Sequence, residues 1–280
     1  MIDIVAELGI NCNGSVEIAK NLIDLCIDNK IKLIKFQKRD IPSCYSEEVL
    51  NTPRESPWGT TTREQKYGLE FTQEDYNEID CYCKINRIKW FASAWDEKSV
   101  DFICQYDIPY IKVPSALITH LQLLDHIKTK NIPVIISTGM STKEEVDIAL
   151  DVLGNSCTTI LHTTSIYPAS VMELNLQKII TLKEEYGKKY KIGYSNHSPS
   201  VMAIIFAAVL GVEMIEFHIT PDRSIYGTDQ SAAIEKRGIE TIMDWITDLP
   251  IALGDGKWKI YDKEIEEMKK LRKKSNLQMK

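Results

Sequence analysis

Residues 132–162 read IPVIISTGMSTKEEVDIALDVLGNSCTTILH, and they set the repeating unit of the chain. The β-branched run at 132–137 (IPVIIS) reads as a strand covered on both faces, because it is short, apolar and bounded by turn residues. Val146, Ile148, Ala149 and Leu153 then recur at helical spacing, and a second apolar run follows at 157–162 (CTTILH). Ser141 with Glu144 three residues later predicts a capping box that opens the intervening helix. Strand, helix and strand in that order imply parallel strands joined by a crossover.

The same unit extends in both directions. Six more strands are expected at 2–8 (IDIVAEL), 31–36 (IKLIKF), 88–93 (IKWFAS), 109–113 (PYIKV), 190–195 (YKIGYS) and 212–217 (VEMIEF), with amphipathic stretches such as Ile18, Leu22, Ile23 and Cys26 between them. Eight strands favour closure into a (β/α)8 TIM barrel, a fold that needs roughly 250 residues. The 280 residues therefore predict one barrel over 1–280 with little left for a second domain. An open doubly wound sheet would also alternate strands and helices, but its first turn usually carries GxGxxG. Here the turn reads ELGINCNGS, with Gly9 and Gly14 too far apart. Residues 38–72, rich in Pro, Ser, Thr and charge, are expected to form a long loop over the barrel top.

A net charge of -6 argues against nucleic-acid and anionic-membrane partners, whose interfaces need clustered Lys and Arg. The basic run 269–274 is expected to be a solvated helix end, where cations suit the helix dipole. No apolar run approaches the roughly 20 residues that span a bilayer. The chain passes from Met1 straight into a strand-like stretch without a signal-peptide pattern, so a cytoplasmic enzyme is expected. Seven scattered cysteines give neither a disulfide framework nor paired CxxC spacing, and idle thiols are the default.

In a barrel of this type the strand ends open into one crater, so polar residues there are the first candidates for chemistry. They recur at most ends: Glu7; Lys35 and Gln37; Ser93; Lys112 and Ser115; Ser137 and Thr138; His162, Thr164 and Ser165; Ser195 and His197; Glu216 and His218. Buried charge needs partners, so its gathering at one end of apolar strands is hard to explain structurally. Lys35 and Lys112 with hydroxyls at Ser93, Ser115 and Ser195 would suit a small phosphorylated substrate. The alternatives are structural salt bridges or a Schiff-base lysine. His197 and His218 follow consecutive strands, which places two imidazoles side by side. They are either a hydrogen-bonded core pair or ligands of a divalent metal whose shell water and substrate oxygen complete.

Taken together these segments resemble the sialic acid synthase family, which condenses phosphoenolpyruvate with an N-acylhexosamine or related sugar. The resemblance rests on AELGINCNG at the first strand, KFQ at 35–37, IKVPS at 111–115, STGM at 137–140, IYP at 166–168, GYSNH at 193–197, and IEFHIT followed by DR and a GTD ending at Asp229. It implies that His197 and His218 hold manganese or magnesium and that Lys35, Ser93, Lys112, Ser115 and Ser195 hold phosphoenolpyruvate. It further implies that Glu7, Gln37, Tyr167 and Asp229 face the sugar aldehyde, with Glu7 moving a proton or positioning water. In that scheme C3 of phosphoenolpyruvate attacks the metal-polarised aldehyde, and water adds at C2 before phosphate leaves.

Three positions depart from the family pattern. Cys12 stands where His is common, and it is read as an ordinary loop thiol in preference to a soft metal ligand. Leu117 stands where some members carry a sugar-binding Glu, and Ser165 replaces a common Asn near the phosphate. The family's C-terminal antifreeze-like domain, which lends an arginine to the N-acyl group across a dimer, is expected to be absent. The acceptor then either lacks an acetamido group or is recognised by the 38–72 segment. A homo-oligomer is expected, since barrels of this type often pair. The competing readings are an octulosonate or heptulosonate-type synthase acting on a phosphorylated or non-acylated aldose, kept open by Arg39, Arg54 and Arg63, a Schiff-base aldolase, and a barrel that only binds sugar.

Overall fold

The computed structural model describes residues 2–273. By its internal contacts the chain divides into two units, Met1–Ile246 and Thr247–Lys280. The strands are β1 (Asp3–Glu7), β2 (Leu33–Lys38), β3 (Pro53–Ser56), β4 (Gly59–Thr61), β5 (Lys89–Ala94), β6 (Ile111–Val113), β7 (Val134–Ser137), β8 (Cys157–Thr163), β9 (Lys191–Asn196) and β10 (Met214–His218). The helices are α1 (Val16–Asp28), α2 (Ile41–Cys44), α3 (Glu47–Leu50), α4 (Thr62–Leu69), α5 (Gln73–Ile85), α6 (Glu97–Ile103), α7 (Leu121–Lys128), α8 (Lys143–Leu153), α9 (Lys178–Tyr186), α10 (Val201–Val209), α11 (Lys236–Leu253) and α12 (Asp262–Leu271).

In the first unit eight parallel strands close in the order β1-β10-β9-β8-β7-β6-β5-β2. Closure is visible at β1, where Glu7 lies opposite Lys35 on one side and His218 on the other. All eight expected barrel strands are present, with ends displaced by at most two residues. The strands are apolar on both faces because their outer side packs on helices; Ile34, Ile111, Ile135, Ile160 and Ile215 are fully buried.

Helix starts follow local chemistry, and one expectation needs correcting. The capping box of α8 is Thr142 with Glu145, one residue beyond Ser141 and Glu144: Glu145 N donates to Thr142 Oγ1 at 3.3 Å and Thr142 N to Glu145 Oε2 at 2.8 Å. Ser141 lies one residue before the cap, and its hydroxyl donates to the Gly139 carbonyl at 3.1 Å. The buried face of α8 is accordingly Val146, Ala149, Leu150 and Leu153, while Ile148 is 48% exposed.

Residues 38–72 are not an irregular loop. They hold α2, α3, the β3–β4 hairpin and α4, the last opened by a Thr61–Glu64 capping box. Each piece is too short to give a clear periodic signal. The hairpin is anchored by Trp58, which meets the Tyr226 ring edge-on at 5.6 Å and lies so close to Gly68 that any Cβ there would stand 2.1 Å from the indole. In the second unit, α12 carries acidic residues in its first turn and Lys269 and Lys270 in its last, the arrangement its dipole favours. Lys274, the end of the basic run, lies outside the described residues. No helix among the described residues is long and apolar enough to cross a membrane, and the cysteines form no disulfide.

Candidate active site

The C-terminal strand ends surround a cavity of about 260 Å³. It gathers all but one of the residues expected to bind substrate or metal: Glu7, Lys35, Gln37, Ser93, Lys112, Ser115, Ser165, Tyr167, Ser195, His197 and His218; of the other polar strand ends, Ser137 and Glu216 line it and Thr138, His162 and Thr164 do not. The exception, Asp229, stands beside it, with Oδ2 3.7 Å from His218 Nδ1. The two imidazoles and two ammonium groups thus share one mouth.

The floor is a four-charge cluster. Lys35 Nζ lies 2.6 Å from Glu7 Oε2 and 3.7 Å from Glu216 Oε1, and it donates to Ser93 Oγ at 3.0 Å. Lys112 Nζ donates to Ser137 Oγ at 2.7 Å and is 4.0 Å from Glu216 Oε1. Both lysines point inward because the barrel register places Lys35, Ser93 and Lys112 on alternating positions of neighbouring strands.

The two ammonium groups differ in chemistry. Burial works against the Lys35 cation, but Glu216 and Glu7 more than offset it, so its pKa is raised and the charge is fixed. Burial pulls Lys112 down to about 8, with Glu216 only partly compensating and Lys35 repelling it. Glu216 is held below the usual carboxylate range against its own burial by Lys112 and Lys35, and it accepts from Ser195 Oγ at 3.0 Å.

The sequence marks Glu216 only as a polar strand end, without a role. A sharper signal is the period of two on β10: His218 faces the crater, so Glu216 two residues earlier does as well. The floor therefore balances two cations with two carboxylates, and the salt-bridge reading of the lysines and the anion-site reading both hold for parts of it. Trp95 and Met140 also line the cavity. Their signal in the sequence is weak, because each lies one or more residues past a strand end.

On the opposite wall, backbone and hydroxyls form a cradle. Gly139 N donates to Ser115 Oγ at 3.1 Å, and Ser165 Oγ is buried without a partner. A Cβ on Gly139 would stand 2.2 Å from Ser165 Oγ and 2.8 Å from Ser115 Oγ, so only glycine leaves this space open. Clustered hydroxyls, one of them without a partner, on a cavity that Lys112 also lines are suited to an oxyanion.

Above the floor the His197 and His218 rings stand 5.4 Å apart. The Thr164 carbonyl, 2.8 Å from His197 Nδ1, requires that nitrogen to carry the proton, which leaves Nε2 as an acceptor from Tyr167 Oη at 3.0 Å. Tyr167 stacks on His197 at 4.1 Å. Burial, then the neighbouring His218, lowers His197 to about 3, so it is a neutral imidazole. His218 Nδ1 is buried without a hydrogen-bond partner.

Neutral nitrogen donors of this kind fit a divalent cation. No group of three His, Cys, Asp or Glu among the described residues forms a fuller protein shell, so the donor set suits an ion that keeps positions open for water and substrate oxygen. Cys12 takes no part. It is fully buried, and burial and the Glu7 charge raise its thiol pKa well above normal, as an idle loop thiol requires.

A closed barrel with its buried charge and imidazoles gathered at the C-terminal mouth defines the class as a (β/α)8-barrel enzyme. Within that class the chain belongs to the NeuB family, whose model matches residues 22–258. It is 31% identical over 272 residues to the N,N'-diacetyllegionaminic acid synthase of Legionella pneumophila, covering 94% of this chain and 76% of that one. It is also 31% identical over 254 residues to the N-acetylneuraminate-9-phosphate synthase of Drosophila melanogaster, covering 89% and 68%. Among solved structures, the N-acetylneuraminic acid synthetase of Leptospira borgpetersenii superposes with a TM-score of 0.81 at 26% identity, covering 98% of this chain and 93% of that one.

Proposed function

We propose that this protein condenses phosphoenolpyruvate with a sugar aldehyde to give a nonulosonic acid and phosphate. The observation that carries the reading is the convergence of Lys35, Lys112, His197 and His218 on one cavity, in a chain whose relatives are named for nonulosonic acid synthesis. An octulosonate or heptulosonate-type synthase is the weaker alternative, since relatives named for nonulosonic acids align over most of the chain.

Lys112 and the Ser115 and Ser165 hydroxyls receive the phosphate, while Lys35, Ser93 and Ser195 hold the carboxylate end. C3 of phosphoenolpyruvate then bonds to the aldehyde carbon as the C2–C3 double bond opens. Water adds at C2, and the C2–O bond to phosphate breaks. Glu7, fixed by Lys35 at 2.6 Å and by Gln37 Nε2 at 2.8 Å, positions that water or moves its proton. Gln37, Tyr167 and Asp229 orient the sugar, and holding both reactants in one crater removes much of the entropic barrier. His197 and His218 would hold a divalent cation, manganese or magnesium, which supplies Lewis acidity toward the aldehyde oxygen.

The test is phosphate release from phosphoenolpyruvate across N-acylhexosamines, their deacylated counterparts and phosphorylated pentoses, with manganese present. Turnover with the hexosamines and its loss in His197→Ala or His218→Ala are expected. Full activity in either variant removes the histidines from the mechanism, and turnover confined to pentoses would favour the octulosonate alternative.

A further inference from the structure

Lys35, Gln37 and Arg39 alternate along β2 and the residue just past it, so Arg39 leaves on the same side as the two cavity residues. Lys38, between them, turns the other way and pairs with Glu70 at 3.2 Å. The Arg39 guanidinium stacks 4.0 Å over Trp95, which lines the cavity, and its Nη2 donates to Gln37 Oε1 at 2.6 Å. The side chain is only 10% exposed. Arg39 Nε and Trp95 Nε1 are both buried without a partner, so the stack is not arranged to satisfy its own donors.

Gln37 carries the contact on to Glu7. Its Nε2 donates to Glu7 Oε1 at 2.8 Å, while Lys35 Nζ lies 2.6 Å from Glu7 Oε2. Gly9 packs against this contact so closely that a Cβ there would stand 2.2 Å from Glu7 Oε1 and 2.8 Å from Gln37 Nε2. What remains to be chosen is a half-turn of the Gln37 amide about its last bond, which exchanges donor for acceptor. Turned that way, Oε1 would face the Glu7 carboxylate, acceptor against acceptor. A guanidinium has only donors, so Arg39 admits the amide oxygen and not the NH2 group. With that end fixed, Nε2 gives one hydrogen to Glu7 and keeps the second for the cavity.

We propose that Arg39 is a positioning residue for the condensation: it selects the end of the Gln37 amide that faces Glu7, and so holds in place the carboxylate that positions water or moves its proton. The inference rests on the synthase reading above. Arg39 does not itself line the cavity, so it acts through Gln37 and not on either reactant. Without its donors the two amide orientations become comparable, and in one of them Glu7 is held by Lys35 alone.

The experiment is a double-mutant cycle on phosphate release, with Arg39→Met, Gln37→Met and the pair, using the best acceptor of the panel above. Methionine keeps an apolar stem on Trp95, and Glu70 keeps Lys38 at 3.2 Å, so no carboxylate is left unpaired. Arg39→Met is expected to lower kcat by about tenfold or more, the size of one charge-assisted hydrogen bond, with the KM for phosphoenolpyruvate unchanged within about twofold. In the Gln37→Met background the same change should cost less than about twofold, because its route to Glu7 is already cut. A loss of equal size in both backgrounds would overturn the proposal, since a purely structural role through Trp95 or Glu70 survives removal of Gln37. A wild-type kcat in Arg39→Met would overturn it as well. If no acceptor turns over, the synthase reading fails by itself, and hydrogen exchange of the Gln37 side-chain amide decides the placement. It is followed in 15N-glutamine-labelled protein, with the signals assigned by their loss in Gln37→Met. An amide proton that exchanges about tenfold or more slower than in free glutamine, with that protection lost in Arg39→Met, supports the placement. Protection kept in Arg39→Met overturns it, and so does its absence from the wild type, a result that needs no variant at Arg39.

Discussion

Lys35 and Lys112 look alike in the sequence, each on a barrel strand with a hydroxyl nearby, yet their surroundings give them different work. Lys35 is locked between Glu7 and Glu216 and stays charged; Lys112 has only a 4.0 Å contact with Glu216 and titrates at about 8. A phosphate bound beside Lys112 favours the ammonium form. Below pH 8 the free enzyme already carries that proton, so binding takes up none at this site. Above pH 8 the free amine must be protonated as the ligand binds, so up to one proton is taken up and affinity falls, approaching about tenfold per pH unit. Calorimetry of phosphoenolpyruvate binding at pH 9, in two buffers of different ionisation enthalpy, should show that uptake, and at pH 7 it should vanish. The same proton count at both values would mean that Lys112 does not meet the phosphate.

The barrel strands were legible because each is a short, mostly apolar run between longer amphipathic stretches, and the polar residues at their ends stood out against that background. What was less legible lay where short elements carry no period. The 38–72 segment hides α2, α3, a hairpin and α4, none longer than eight residues, and its anchor is a tertiary contact between Trp58, Gly68 and Tyr226. The α8 cap falls one residue later than expected, at Thr142, and Ser141 belongs to the Gly139 turn, which spacing alone does not reveal. That turn carries a prediction of its own. Gly139 brings the β7 end against the loops after β6 and β8, and a methyl group there would meet Ser165, Ser115 and Thr163 within 2.8 Å. Gly139→Ala should raise the KM for phosphoenolpyruvate by about tenfold or more and leave the acceptor KM nearly unchanged, since it fills the cradle without touching the sugar side. Equal increases in both constants would show a general distortion of the mouth instead.

For the molecule as a whole, this site is a burden on the fold. Lys112 and Glu216 are 2% and 4% exposed, and the 4.0 Å contact with Glu216 is too long to compensate fully for the desolvation of the Lys112 cation. Below the cavity they sit on a close-packed barrel that would accept neutral side chains of similar size. The double variant Lys112→Met/Glu216→Gln removes both charges together, so neither is left buried and unpaired. The carboxamide that replaces the Glu216 carboxylate keeps an acceptor for Ser195, Lys35 keeps Glu7 at 2.6 Å, and Ser137 on the cavity wall can be hydrated. Replacing a buried pair in this way is often stabilising by about 1–4 kcal/mol, or roughly 2–4 °C in Tm per kcal/mol for a chain somewhat smaller than this. Scanning calorimetry should therefore show a higher Tm together with complete loss of phosphate release. A lower Tm in the double variant, with Lys112→Met alone no worse, would mean that the charged floor holds the barrel together and that its geometry owes more to folding than to chemistry.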